Sequence, residues 1–282
     1  MKTTTIDKNA FTATTGKKRR VHPIIASLLI LYARVIRLKN AYKRKILRKF
    51  NLIKQSAPAK RNMQTNIYIP KYNVIFISIP KVACSSVKSV LYELQSGSKP
   101  TMNIHEAPFK YIPFKQLGLY PNCFMFAFVR NPWDRIVSLY ANKIKADPNF
   151  NGRDENDEQF FNGAAKWLAC YGDVFRGGMS FAEFVQAIAA IPDEESNNHF
   201  RSQYLFITGK NNGSIVDFLG KFEHLTDDFN ILKKLAGLPA DISLPHKMKS
   251  DHADYRHYYT DELKNLIAQR YKRDIEQFDY SF

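Results

Sequence analysis

The sequence predicts an α/β fold, a parallel sheet flanked by helices, behind a basic helical N-terminal extension. Three observations lead there. Two short, almost unbroken apolar runs, Val74–Ile79 and Phe124–Val129, are rich in β-branched or aromatic residues, as buried central strands of parallel sheets are. Each passes through a short loop into apolar residues at helical spacing, so a strand–loop–helix unit occurs twice. Charge is also partitioned along the chain. Of 42 Lys and Arg, 17 lie at or before Arg61, where the only acid is Asp7; the other 25 meet 25 Asp and Glu. The net charge of +16 thus belongs to an arm, residues 1–61. The neutral body, residues 62–282, does not read as a general nucleic-acid binder.

Residues 1–20 are rich in Thr and Lys without apolar periodicity and read as disordered. The apolar run Ile24–Ala33 stops at Arg34, short of the roughly 20 residues a spanning helix needs. No small-x-small cleavage site follows it. Ile24–Phe50, within a stretch whose basic pattern runs to about Lys54, reads instead as one amphipathic helix, apolar first and then basic through Arg34, Arg37, Lys43, Arg44 and Arg48. Such a segment either lies on an anionic membrane surface or docks on the body with a solvated basic face. Specific nucleic-acid binding is disfavoured, because Tyr32, Tyr42 and Phe50 form no stacking platform. Gln55–Arg61 is a linker by composition.

Three cysteines, Cys84, Cys123 and Cys170, cannot close a set of disulfides and show no C-x-x-C spacing. That points to a reducing, cytoplasmic setting, peripheral at the membrane. The sequon Asn212-Gly213-Ser214 carries little weight.

Pro80 ends the first run, since it has no N–H for a ladder. Lys81-Val82-Ala83-Cys84-Ser85-Ser86 follows, then Val87, Val90, Leu91 and Leu94 at helical spacing. Free N–H groups at a helix start, a mobile cation at Lys81 and two hydroxyls suit a sulfate or phosphate. A plainer reading makes Ser85 or Ser86 an N-cap. The G-x-x-x-x-G-K-[ST] signature is missing, against an ordinary nucleotide triphosphatase. In the second unit Arg130 ends the strand, and Asn131-Pro132-Trp133-Asp134 opens a helix with Asn as N-cap. An Arg at the carboxyl end of a buried strand stands where open α/β sheets bind ligands. With Ser138 further along the helix it suits a second phosphate; the plainer reading pairs Arg130 with Asp134.

Ile79–Lys88 resembles the 5′-phosphosulfate loop of sulfotransferases that use 3′-phosphoadenosine 5′-phosphosulfate (PAPS). Phe128–Tyr140 resembles their 3′-phosphate segment, most closely in the carbohydrate sulfotransferases of chondroitin, dermatan and HNK-1 type and their bacterial relatives. Asn198–Tyr204 is similar to the family's H-x-x-P-Q segment, with Ser202 where the family has Pro, and Val216–Leu225 to its next strand. Tyr271–Asp274 and Phe278–Tyr280 fit its closing helix and aromatic end.

The resemblance covers about residues 68–282 and implies a P-loop-like sheet, PAPS as co-substrate and a carbohydrate acceptor. It implies that Pro80, Lys81, Val82, Ala83, Cys84, Ser85 and Ser86 hold the 5′-phosphosulfate, with Lys81 at the bridging oxygen. Arg130 and Ser138 would hold the 3′-phosphate. No metal is implied, because cationic side chains neutralise the leaving group. The general base would be His105 first and His199 second, with Glu106 or Glu223 as substitutes. His246, His252, His257, Asp251 and Asp254 match no metal-ligand spacing; Lys247, Lys249 and Ser250 would approach the 3′-phosphate. Animal members are type II Golgi membrane proteins, an alternative to the cytoplasmic setting. The rival readings are another nucleotide-dependent, kinase-like transferase and an inactive nucleotide-binding protein at a membrane.

Overall fold

The computed structural model describes residues 66–144, 171, 174–175, 177–209, 211–245 and 254–282. The N-terminal arm, where a helix is expected, the linker, Cys170, and His246, Lys247, Lys249, Ser250, Asp251 and His252 lie outside them.

Five strands, β1 Asn66–Ile69, β2 Val74–Ile77, β3 Lys110–Ile112, β4 Phe124–Val129 and β5 Phe218–Lys221, form one sheet in the order β3-β1-β2-β4-β5. β2 pairs in parallel with β4, and β4 with β5, so the two apolar runs are neighbours. The expected parallel sheet needs one correction, because β1 runs antiparallel to both β2 and β3. The link from β1 to β2 is only the 3-10 turn Pro70–Tyr72 and Asn73, whose φ of 52° reverses the chain. A parallel crossover needs about a dozen residues or more, so this link dictates a hairpin. β2 also stops at Ile77; Ser78 and Ile79 stay buried but leave the ladder on the way to Pro80.

Helices α1 Cys84–Ser96, α2 Pro132–Lys143, α3 Phe181–Ala190, the single turn α4 Tyr204–Ile207, α5 Leu225–Leu235, α6 Asp261–Arg270 and α7 Lys272–Phe278 complete the described body. Val87, Val90, Leu91 and Leu94 of α1 join Phe229 and Leu232 of α5 on the strand residues Ile67, Ile75, Phe126 and Phe128. A second apolar cluster joins helices to one another. In it Trp133, Ile136, Val137 and Leu139 of α2 meet Phe184, Val185 and Ile188 of α3, and Leu263 and Ile267 of α6. Asn131 caps α2 as expected, and Thr260 caps α6. Asn131 Oδ1 accepts from Trp133 N at 3.1 Å, and Thr260 Oγ1 from Leu263 N at 3.3 Å. Among the described residues no helix is long and apolar enough to cross a membrane.

Gly220 lets β5 lie against the ring of Phe128: a Cβ there would stand 2.4 Å from Phe128 Cε1. Phe128 is buried between Phe126 and Phe218 and cannot swing clear. Gly220→Ala should therefore cost about 1–3 kcal/mol. A urea midpoint equal to that of the unaltered chain would show that the strand shifts freely.

Candidate active site

Because β2, β4 and β5 are parallel, their carboxyl ends lie on one edge of the sheet, and the turns that follow β2 and β4 form two neighbouring segments there. The first is the turn into α1. Lys81 and Ala83 both take positive φ, 67° and 47°, a left-handed conformation that costs a residue with a Cβ about 1–3 kcal/mol each. Ala83, not a serine, is the N-cap of α1, and Val87 N donates to its carbonyl at 3.1 Å. Ser85 and Ser86 therefore stand inside the first turn, and the reading of either as the N-cap is set aside. Helix geometry leaves the N–H groups of Cys84, Ser85 and Ser86 without intrahelical acceptors. Lys81 Nζ donates to Asn142 Oδ1 at 3.0 Å.

The second segment follows β4. Arg130, 5% exposed, donates from Nε to Asp134 at 2.8 Å, as the plainer reading had it. It also donates from Nη1 to the Lys81 carbonyl at 3.2 Å, and its guanidinium lies over the Phe222 ring. Nη2 has no protein partner among the described residues, so one donor edge of the fork stays available to an anion. Ser138 is buried on α2.

Several residues that hold this segment were not picked out as site residues from the sequence. The Gln203 side chain brackets Arg130, accepting from its N–H at 3.0 Å and donating to its carbonyl at 2.8 Å. Gln203 N and Tyr204 N donate in turn to the carboxylate of Asp274, which is fully buried and held by burial at a pKa of about 6. Glu223, a substitute base in the sequence reading, accepts from Asn131 N at 2.7 Å and from the Tyr280 hydroxyl at 3.0 Å. Both its oxygens are thus occupied in holding the loop. The resemblance placed Gln203 in the H-x-x-P-Q-like segment and Asp274 in the closing helix but gave neither a role, because their partners lie 70 residues or more away.

A third segment, ahead of β5 in the chain and tied to the Lys81 turn through Arg135, carries His199, half-buried, with Nδ1 2.7 Å from Asn197 Oδ1. His105, between β2 and β4 in the chain, lies with Nε2 2.9 Å from Ser85 Oγ. Burial, together with the charges of Lys81, Arg135 and Lys143, lowers the His199 pKa to about 3. Partial desolvation lowers His105, with Lys88, Lys143 and Lys81 contributing. Burial brings Lys81 down to about 8, helped by Arg130, Lys143 and Arg135. Lys81 and Lys143 act on both imidazoles, so Lys81, His105 and His199 share one electrostatic neighbourhood with a surplus of cations. Two neutral imidazoles beside clustered cations can take a proton next to a bound anion. Lys88, Arg135, Asn142 and Lys143 also belong to this neighbourhood; only their helical spacing from Ser85 or Ser138 could have hinted at it. A cleft of about 440 Å³ lies elsewhere, lined by Lys71, Tyr72, Glu93, Lys99 and Asp241 at the start of β2 and the end of α1. It holds none of these groups. Among the described residues no cluster of His, Cys, Asp and Glu could hold a metal ion.

Comparison with known proteins points the same way. The model of the sulfotransferase family, Sulfotransfer_2, matches residues 64–281. Carbohydrate sulfotransferase 11 of Danio rerio is 27% identical over 234 residues, covering 74% of this chain and 65% of the relative. Carbohydrate sulfotransferase 14 of Danio rerio is 27% identical, with 74% and 60% covered. Carbohydrate sulfotransferase 8 of Mus musculus is 24% identical, with 75% and 55% covered. The chain thus spans between 55% and 65% of the length of these relatives. No solved structure matches it.

The histidine environment predicts an acid response. The folded value for His199 is about 3 against 6.5 when unperturbed, so the unfolded chain binds more protons between those limits. The stability contributed by neutral His199 is complete above pH 6.5 and is lost as pH falls towards 3. Asp274, raised from 3.8 to about 6, acts in the opposite sense over its own window and cancels in a comparison of variants. His199→Gln should flatten the fall in denaturant midpoint between pH 6.5 and 4. Parallel curves for the two proteins would show that His199 titrates normally.

Proposed function

The chain belongs to the sulfotransferase family, and we propose that it transfers a sulfuryl group from PAPS to a hydroxyl of a carbohydrate acceptor by in-line displacement. The observation that carries this reading is the convergence of two anion-suited segments, at Lys81–Ser86 and at Arg130, on one edge of the parallel strands. The Arg130–Lys81 carbonyl bond joins them directly. The strained turn supports the fit to the donor, since two residues with side chains keep left-handed conformations where backbone N–H groups must approach an anion.

The donor supplies an activated sulfuryl group, and the work of the chain is positional and electrostatic. In this reading Pro80, Val82, Ala83 and Cys84 shape a P-loop-like turn whose N–H groups, with the Ser85 and Ser86 hydroxyls, hold the 5′-phosphosulfate. Lys81 neutralises charge on the departing 5′-phosphate oxygen. Its value near 8 leaves it mostly protonated at neutral pH, and an adjacent anion strengthens that. Arg130 offers Nη2 to the 3′-phosphate, with Ser138 beside it. His105 receives the acceptor's proton. His199 is the second choice, because a value near 3 makes it a weak base.

Heats of binding test the site. Adenosine 3′,5′-bisphosphate should bind well more than tenfold tighter than AMP or ATP, and Arg130→Ala should erase most of that preference. Lys81→Ala should abolish turnover while leaving the fold intact. Equal affinity for the three nucleotides would return the site to a kinase-like enzyme or an inactive binding protein.

We also propose that residues 24–54 lie on an anionic membrane surface, peripheral on the cytoplasmic side. The support is the step from an apolar to a strongly basic half. Replacing Arg34, Arg37, Lys43, Arg44 and Arg48 by Gln should abolish co-sedimentation of the full chain with phosphatidylserine vesicles at low salt. Unchanged sedimentation would refute the contact.

A further inference from the structure

We infer that Ser85 fixes the tautomer of His105: the ring carries its proton on Nε2, leaving Nδ1 as the atom that takes the acceptor's proton. This rests on the donor-loop reading above and goes beyond it, because it names the atom and the residue that selects it. Ser85 Oγ lies 2.9 Å from His105 Nε2. Both ends of that contact are held by their backbones. Ser85 sits in the first turn of α1, and its carbonyl accepts from Ser89 Oγ at 2.9 Å. His105 N donates to Asn103 Oδ1 at 3.1 Å, and Asn103 Nδ2 donates to Glu106 Oε1 at 2.9 Å. Glu106, the other substitute base, is thereby tied to the turn that carries His105. The second ring nitrogen, Nδ1, has no hydrogen-bond partner among the described residues.

Counting protons decides between the tautomers. A hydroxyl has one proton to donate and two lone pairs. An ionised phosphosulfate in the turn can only accept, so Ser85 must spend its proton on that anion. Towards His105 it then offers a lone pair alone, and Nε2 must be the donor. A neutral imidazole has one N–H, so the lone pair is on Nδ1. The depressed pKa of His105 keeps the ring neutral and this count valid. The opposite tautomer would make Ser85 donate to Nε2, taking the hydroxyl from the anion and the lone pair from the acceptor together.

During transfer the acceptor O–H bond breaks as Nδ1–H forms, and the acceptor O–S bond forms as sulfur parts from the 5′-phosphate oxygen. The electron pair of the broken bond stays on that oxygen, beside Lys81. His105 becomes an imidazolium whose Nε2–H still points at Ser85 Oγ. Ser85 is therefore a positioning residue for the base as well as a ligand of the donor.

The test is ¹⁵N NMR of the full chain with labelled histidines, saturated with adenosine 3′,5′-bisphosphate at pH 8. There the 5′-phosphate, with a second pKa of about 6, only accepts. His105 is identified by its loss in His105→Gln. The expected spectrum shows Nε2 protonated and Nδ1 bare. Ser85→Ala, binding the nucleotide roughly tenfold more weakly but still saturated, should give mixed tautomers, and Ser85→Thr should restore one. The acid limb of the rate profile should move in Ser85→Ala and return in Ser85→Thr. A protonated Nδ1 in the unaltered complex, or an unchanged tautomer in Ser85→Ala, overturns the inference. No heat of nucleotide binding in the same sample would instead overturn the donor-loop reading, and this inference with it.

Discussion

The guanidinium of Arg135, 1% exposed, donates to the Pro80 carbonyl at 3.0 Å, the Asn198 carbonyl at 3.0 Å and the Arg201 carbonyl at 2.8 Å. Those carbonyls belong to two loops far apart in sequence, the turn that carries Lys81 and the segment that carries His199. A planar fork with donors in fixed directions can hold three acceptors at once, where an ammonium on a flexible stem holds fewer with less definition. Burial lowers the Arg135 pKa, while Tyr271, Asp274 and Asp193 offset that cost through space. The spacing between the Lys81 turn and the His199 segment thus depends on a cation whose direct partners are backbone carbonyls.

Around it lies a layer of buried polar groups, each fastened by a partner distant in the chain. Asp274 fixes the backbone of Gln203 and Tyr204, Gln203 fixes that of Arg130, and Glu223 fixes that of Asn131. Ser202 shows how such a layer absorbs a departure from the family pattern. Its N–H donates to Asp193 Oδ1 at 2.9 Å and its hydroxyl to Oδ2 at 2.7 Å, with Arg270 closing the set. A proline there could make neither bond. The segment has exchanged a rigid ring for a hydrogen-bonded carboxylate, and Gln203 still reaches Arg130.

Strain and charge point the same way. Lys81 and Ala83 hold left-handed conformations, and Lys81, Lys88 and His105 all have proton affinities lowered by burial or desolvation. Each of these is unfavourable taken alone. A bound anion would relieve the surplus charge and give the strained turn an acceptor to face. Groups that cost stability and converge on one edge are what a site that binds anions requires.

The two apolar strands, the helix that follows each and the cap at Asn131 were legible from local pattern. Apolar runs, helical spacing and capping residues act over a few neighbours, so the chain states them where they occur. The antiparallel edge was missed because β1 and β3 are strands of four and three residues, too short for a period of two to stand out. The Arg130–Asp134 pair was legible too, being a contact of four residues. The sequence alone determined which residues could bind anions and which could take a proton. Only the tertiary structure decided that His105 meets Ser85, that Glu223 is spent on the Asn131 backbone, and that Arg135 joins two loops. Those choices turn on hydrogen bonds across 20 to 92 residues, and a buried donor takes whichever acceptor the packed fold brings within 3 Å.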